Sequence, residues 1–227
     1  MTSDHDAGGG GDDLAGEELP MFPLGSVLLP GMVLPLRVFE PRYRVLVDTV
    51  LLADRQEFGC VLIERGSEVG GGDVRTMVGC TARLVDVARH DDGQVSMVAV
   101  GTGRLRVLEW LPDDPFPRAR VQPWHDPDPG AADQEATLAT IERIERAVAS
   151  LGALAVELGL VAEFAPAELD DDPSVRTYQL ATISPLGALD RQTVLERPGL
   201  AARAALLEEL VEDQRVLLEA RRGAGDP

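Results

Sequence analysis

The hydrophobic period of this chain changes once, and the change falls at a proline-rich break. Up to Gln122 the apolar residues come in short extended runs, whereas from Asp133 they recur every three or four positions. Between them lies Pro-Trp-His-Asp-Pro-Asp-Pro-Gly-Ala-Ala (123–132), whose three prolines and one glycine oppose both helix and sheet. A run patterned for one period cannot bury its apolar face at the other. The chain must therefore build a β-rich half followed by a helical half, an α+β arrangement.

The β half is expected over 19–122. Leu19-Pro20-Met21-Phe22-Pro23-Leu24 reads as a proline-punctuated strand, expected at a sheet edge, and Val33 to Leu36 as a second extended run. Glu40-Pro41 opens a helix over 41–53, with Tyr43, Leu46, Val47 and Val50 on its apolar stripe. Phe58 to Ile63, Met77 to Ala88, Val95 to Val100, Leu105 to Leu111 and Ala119 to Val121 are further strands, with Gly70-Gly71-Gly72 a flexible loop. Asp91-Asp92-Gly93 between two of these runs signals a hairpin, because its turn needs positive φ. Gly101-Thr102-Gly103 reads as a strand bend. About six strands suit a small, partly closed barrel, which removes exposed edges.

The helical half is expected over 133–221. Leu138, Ile141, Ile144, Val148, Leu151, Leu154 and Leu158 form one stripe, interrupted by Gly152 at about 1 kcal/mol relative to Ala. Asp172-Pro173 matches an N-cap followed by Pro at N1. A short helix ends near Ser184-Pro185, another covers 188–196, and a last one runs from about Leu200 to Ala220. Residues 1–18 form an acidic, Gly-rich tail expected to be disordered, and 222–227 a short tail.

The net charge of -18 is unevenly spread. Residues 1–19 carry six acids and no base, residues 20–132 carry 15 acids against 12 Arg, and residues 133–227 carry 18 acids against 9 Arg. No segment is net basic, which argues against nucleic acid and leaves open only a local Arg patch. All 21 basic residues are Arg. Without Lys there is no P-loop, no Schiff-base amine and no Ser–Lys dyad. No apolar run reaches transmembrane length and the N-terminus lacks a signal pattern, so the cytoplasm is the expected compartment and no membrane partner is expected.

Several residues resemble a known family. Leu19-Pro20-Met21-Phe22-Pro23-Leu24 with Val27-Leu28-Leu29-Pro30-Gly31-Met32-Val33-Leu34-Pro35-Leu36 resembles the opening of the Lon protease N-terminal, substrate-binding domain. Arg37-Val38-Phe39-Glu40-Pro41-Arg42-Tyr43-Arg44 resembles the version in free-standing bacterial members. Val78 to Leu84, Val98 to Gly101 and Arg104 to Val107 match later strands, and Leu180 to Leu195 with Arg203, Leu206 and Leu207 the helical part. The resemblance implies a PUA-like, mainly antiparallel β pseudo-barrel with one inserted helix, then a C-terminal helical bundle. It also implies engagement of unfolded or partly folded polypeptides, as an adaptor or holdase working with a protease or chaperone. Lon's ATPase and Ser–Lys protease modules have no counterpart in these 227 residues, so no enzyme activity and no cofactor is expected.

Phe39, Glu40, Arg42 and Tyr43 share a strand-to-helix corner. Two readings are open: Phe39 and Tyr43 pack in the core beside a Glu40–Arg42 ion pair, or the four form one wall of a peptide groove. Trp110 and Trp124 could line a cleft between the two halves, and Arg104 completes the candidate peptide-binding set. The alternative is a PUA-like module binding RNA or a small ligand through a strip of Arg83, Arg89, Arg104, Arg106, Arg118 and Arg120. A third class, a small hydrolase, needs Cys60 or Cys80 beside His90; otherwise both cysteines are small buried hydrophobes. The three histidines lack metal-ligand spacing, and Glu17-Glu18, Asp113-Asp114 and Asp170-Asp171-Asp172 lack the rhythm of a calcium loop, so no metal site is expected.

Overall fold

A computed structural model describes residues 16–66, 74–127, 134–164 and 168–224. The expected tail up to residue 15, the triple glycine and the second half of the linker (128–132) lie outside the described residues.

The strands are β1 (Glu17–Leu24), β2 (Val33–Val38), β3 (Glu57–Arg65), β4 (Val74–Arg89), β5 (Val95–Leu111) and β6 (Arg118–Pro123), with helix α1 (Pro41–Leu52) inserted after β2. They run in the order β2-β5-β4-β3-β1-β6, and β6 returns to β5, so five strands close a ring and β2 stands outside it. All pairings are antiparallel except β1 with β3. The pseudo-barrel expected from the resemblance is present.

β1 differs from expectation: it is interior. It meets β6 through Glu17–Pro20 and β3 through Met21–Leu24. Each half therefore has one strand neighbour only, and each proline lacks an N–H on a strand that is locally an edge. β1 also opens at Glu17, so Glu17 and Glu18 belong to the sheet rather than to a solvated tail. Val95–Val100 and Leu105–Leu111, read as two strands, form one continuous β5. The bend at Gly101-Thr102-Gly103 is a register shift where Thr102 is extra. Gly101 cannot be larger: a Cβ there would lie 2.3 Å from the Leu29 carbonyl oxygen.

Turn and helix chemistry follow local rules. Gly93 turns the β4–β5 hairpin at φ 77°. Pro41 starts α1, whose Tyr43, Leu46, Val47 and Val50 are buried as the stripe requires. Asp172 caps α3 (Pro173–Ile183) by accepting the Ser174 N–H at 2.7 Å. With α2 (Gln134–Glu157), α4 (Ala188–Glu196) and α5 (Leu200–Ala224) it completes the helical part, α2 packing along α5.

The two halves share a core. Val27, Leu29 and Leu62 from the β half pack with Ile144, Leu151, Tyr178, Leu180, Leu195 and Leu207 from the helices. A second core places α1 over the β2–β5–β4 sheet, where Leu34, Val38, Leu84, Val95, Met97 and Ala99 meet Tyr43, Leu46 and Val50. Among the described residues only one face of that sheet is covered.

Candidate functional site

The other face of the β2–β5–β4 sheet looks to solvent. A strand alternates its side chains, so burying Leu34 and Val38 sends Val33, Pro35 and Arg37 outward. Phe39 continues the alternation one residue past the strand end. Val33 and Phe39 are 57% and 56% exposed. Opposite them on β5 stand the half-buried Val100, Val98 and Ser96, and beyond those Arg83, Asp86 and Ala88 on β4. The result is an apolar strip on an outer strand, with Arg37 as its only charge on β2.

The corner behind Phe39 is tied by side-chain contacts. Arg42 donates from Nε to Glu40 at 3.1 Å, and its guanidinium lies 4.6 Å over the Tyr43 ring. Tyr43 stacks on Phe22 with centroids 4.2 Å apart. The packing reading of this corner thus holds in part. Tyr43 is core and Glu40–Arg42 is an ion pair, but Phe39 is exposed rather than packed.

A buried ionic cluster bridges the boundary between the two halves. Arg104, on β5 and only 6% exposed, donates to the Leu195 and Arg197 carbonyls at 3.2 and 3.1 Å and bonds the Asp126 carboxylate. Arg203 on α5, fully buried, grips the same carboxylate at 3.1 and 2.7 Å, and also donates to the Ser174 hydroxyl at 2.7 Å. The Gly199 N–H adds a further bond to Asp126 at 2.9 Å. Burial works against the Asp126 charge, but Arg203, the Gly199 N–H and Arg104 outweigh it and hold the carboxyl below its ordinary range. Burial pushes the Arg104 pKa down. Trp124 is stacked by Arg104 and Arg106 at 4.2 and 3.8 Å. Arg104 therefore ties the β half to the helical half, and Trp124 packs against its guanidinium.

Trp110 lies elsewhere. It packs beside Leu105, Val107 and Ala119, with Arg75 4.6 Å over its ring. The seven candidate residues thus fall into three places: the Phe39 corner, the ionic cluster and the Trp110 site. Sequence reasoning missed Val33, Pro35 and Arg37 as partners of Phe39, although their spacing of two was the available signal.

The other candidates do not converge. Cys60 and Cys80 are buried cross-strand neighbours. Desolvation pushes Cys60 well up and Cys80 to about 12, the opposite of an activated thiol. His90 lies ten residues beyond Cys80 along β4, roughly 30 Å at about 3.3 Å per residue, and bonds Ser96 at 2.7 Å. In the Arg strip, Arg89 pairs with Asp48, Arg104 with Asp126, Arg118 with Glu18 and Arg120 with Glu109. No group of His, Cys, Asp and Glu among the described residues could hold a metal ion.

Comparison with known proteins agrees with this architecture. The family model described as the ATP-dependent protease La (LON) substrate-binding domain matches residues 18–213. A Lon protease of Anaeromyxobacter dehalogenans is 29% identical over 217 residues, covering 88% of this chain and 24% of its own. Lon protease 2 of Myxococcus xanthus is 31% identical over 209 residues, again 88% of this chain and 24% of its own. The chain thus spans about a quarter of the length of these relatives. The crystal structure of a Lon N-terminal domain protein from Xanthomonas campestris matches at 26% identity and a TM-score of 0.54, over 86% of this chain and 98% of that one. The N-terminal domain of Mycobacterium avium complex Lon protease shares the fold at 16% identity and a TM-score of 0.62, over 87% and 99%. With the family model spanning both halves, from β1 into α5, the chain belongs to the Lon substrate-binding domain family.

Proposed function

We propose that this chain binds unfolded or partly folded polypeptides without altering them covalently. It holds apolar segments against the outward face of the β2–β5–β4 sheet, as a holdase or as an adaptor for a protease or chaperone. The observation that carries the reading is the exposed row Val33, Pro35, Arg37 and Phe39, backed by Val98 and Val100. Apolar surface left open on a sheet face is the kind of patch that serves association. Membership in a family described by substrate binding supports polypeptide as the ligand class.

In this reading Glu40, Arg42 and Tyr43 support the site by fixing the corner that presents Phe39. Arg104, with Trp124 packed on it, contributes by holding the two halves together, and Trp110 takes no part in the strip. The RNA alternative gains no support, since four of its six arginines already face carboxylates.

The test is a titration of the pure protein with a fluorescent, chemically denatured client, alongside light scattering during client aggregation. The wild type slows aggregation and binds at micromolar levels. The Val33→Asp/Phe39→Asp variant binds on the order of tenfold more weakly, about 1.4 kcal/mol, with unchanged thermal unfolding. Flat titrations of the wild type across several clients end the reading.

A further inference from the structure

We infer that the bound segment adds to the free edge of β2 as an extended strand, and that the site selects segments in which a carboxylate alternates with β-branched or aromatic residues. The inference rests on polypeptide being the ligand, and it specifies how the ligand is held and which sequences fit.

The backbone carries the first half. Among the described residues β2 pairs with β5 alone, Val33 facing Val100 and Leu34 facing Ala99. The Gly101 N–H donates to the Met32 carbonyl at 3.0 Å, which fixes the phase of the ladder. Leu34, Leu36 and Val38 therefore bond β5, whereas Val33, Pro35 and Arg37 turn their backbone groups to the open side. Pro35 obeys this phase, because the N–H it lacks would point outward. The free edge keeps the carbonyls of Val33, Pro35 and Arg37 and the N–H groups of Val33 and Arg37. These are the groups that strand addition uses.

Side chains carry the second half. Residues of an added strand stand about 4.5–5.5 Å from their β2 neighbours on the same face. Among the described residues Arg37 has no ion-pair partner, while Arg42, Arg55, Arg89, Arg118 and Arg120 each face a carboxylate. An acid beside Arg37 would complete a cross-strand pair. Residues two before and two after it would lie beside Pro35 and Phe39, which call for apolar side chains. The selected pattern is apolar-x-acid-x-apolar, whichever way the segment runs. Pro35 and the Arg37 charge also discourage indiscriminate edge pairing, so a segment lacking the acid gains little.

The test uses labelled nine-residue peptides in fluorescence anisotropy, with Val and Phe at alternate positions around a central Glu or Lys. The Glu peptide binds at least tenfold tighter than the Lys peptide, and the Arg37→Glu variant reverses the order. Methylating alternate amides of the Glu peptide removes donors from one edge at a time. One methylated set loses at least tenfold in affinity and the other stays within twofold. Binding that ignores both the methylation set and the Arg37 reversal overturns strand addition while the polypeptide reading stands. No binding of any peptide or of the denatured client ends both. Sedimentation showing a wild-type dimer that the Glu peptide does not dissociate assigns the edge to a second copy and overturns the inference.

Discussion

Arg203 and Asp126, 77 residues apart, meet through two hydrogen bonds of 3.1 and 2.7 Å, with the guanidinium wholly buried. Arg104 reaches the same carboxylate from the β half. One acid in the segment between the halves thus compensates two cations, one from each half, and does so at their boundary.

Removing the acid leaves both guanidiniums buried without a counter-charge. Asp126→Ala is therefore expected to cost about 3–5 kcal/mol in denaturant unfolding. Arg203→Met in the same background should recover part of that loss, because a buried cation is replaced by an apolar chain of similar reach. A double variant no more stable than Asp126→Ala would contradict this account.

The ionic cluster also sets how stability responds to pH. The Asp126 carboxyl is held below its ordinary 3.8, so its contribution is present above that value and is lost as pH falls through the depressed folded value. The stability gap between wild type and Asp126→Asn should be constant near neutrality and shrink below about pH 4. Tyr178 behaves in the opposite sense. Burial pushes its phenol from 10.0 to about 12, against the opposing pull of Arg203, so its contribution holds below pH 10 and is lost between 10 and 12. Tyr178→Phe should abolish that alkaline loss, and absorbance titration of phenolate should show a late-titrating tyrosine that the variant lacks.

How much of this was legible in the sequence depended on range. The Asp91-Asp92-Gly93 hairpin, the Pro41 helix start and the Asp172 cap rest on neighbours within a few residues, and each formed as read. Pro20 and Pro23 suggested an edge because the sequence could not show that β1 changes partner halfway. Arg203 sits on a helix where an Arg ordinarily reads as solvated. Nothing local announces that Arg104, Asp126 and Arg203 converge. The outward row was half legible: Phe39 was singled out, but which face α1 covers decides whether Val33 and Arg37 join it.

The two thiols give a separate check on the core that α1 covers. Cys60 and Cys80 face each other across β3 and β4, buried and with raised pKa values. A thiol reagent at neutral pH should label neither in the folded protein and both in denaturant. Labelling in native buffer should follow the rate at which the β half opens. Rapid native labelling of either cysteine would contradict the packing described.

Gly152 supplies the sharpest conflict between local propensity and tertiary packing. In an exposed helix Gly→Ala stabilises by about 1 kcal/mol, because glycine loses more backbone freedom on folding. In α2, however, the Phe164 ring rests on the glycine, and an added Cβ would fall 2.2 Å from its nearest ring carbon. That distance is far inside van der Waals contact, so the ring must leave its seat. Gly152→Ala is therefore expected to destabilise, by roughly 1–3 kcal/mol as for other overpacked sites. The discriminating measurement is the pair with Phe164→Ala: once the ring is gone, the same Gly152→Ala change should become neutral or stabilising. If Gly152→Ala raises the unfolding midpoint in the wild-type background, the Phe164 contact does not govern this helix.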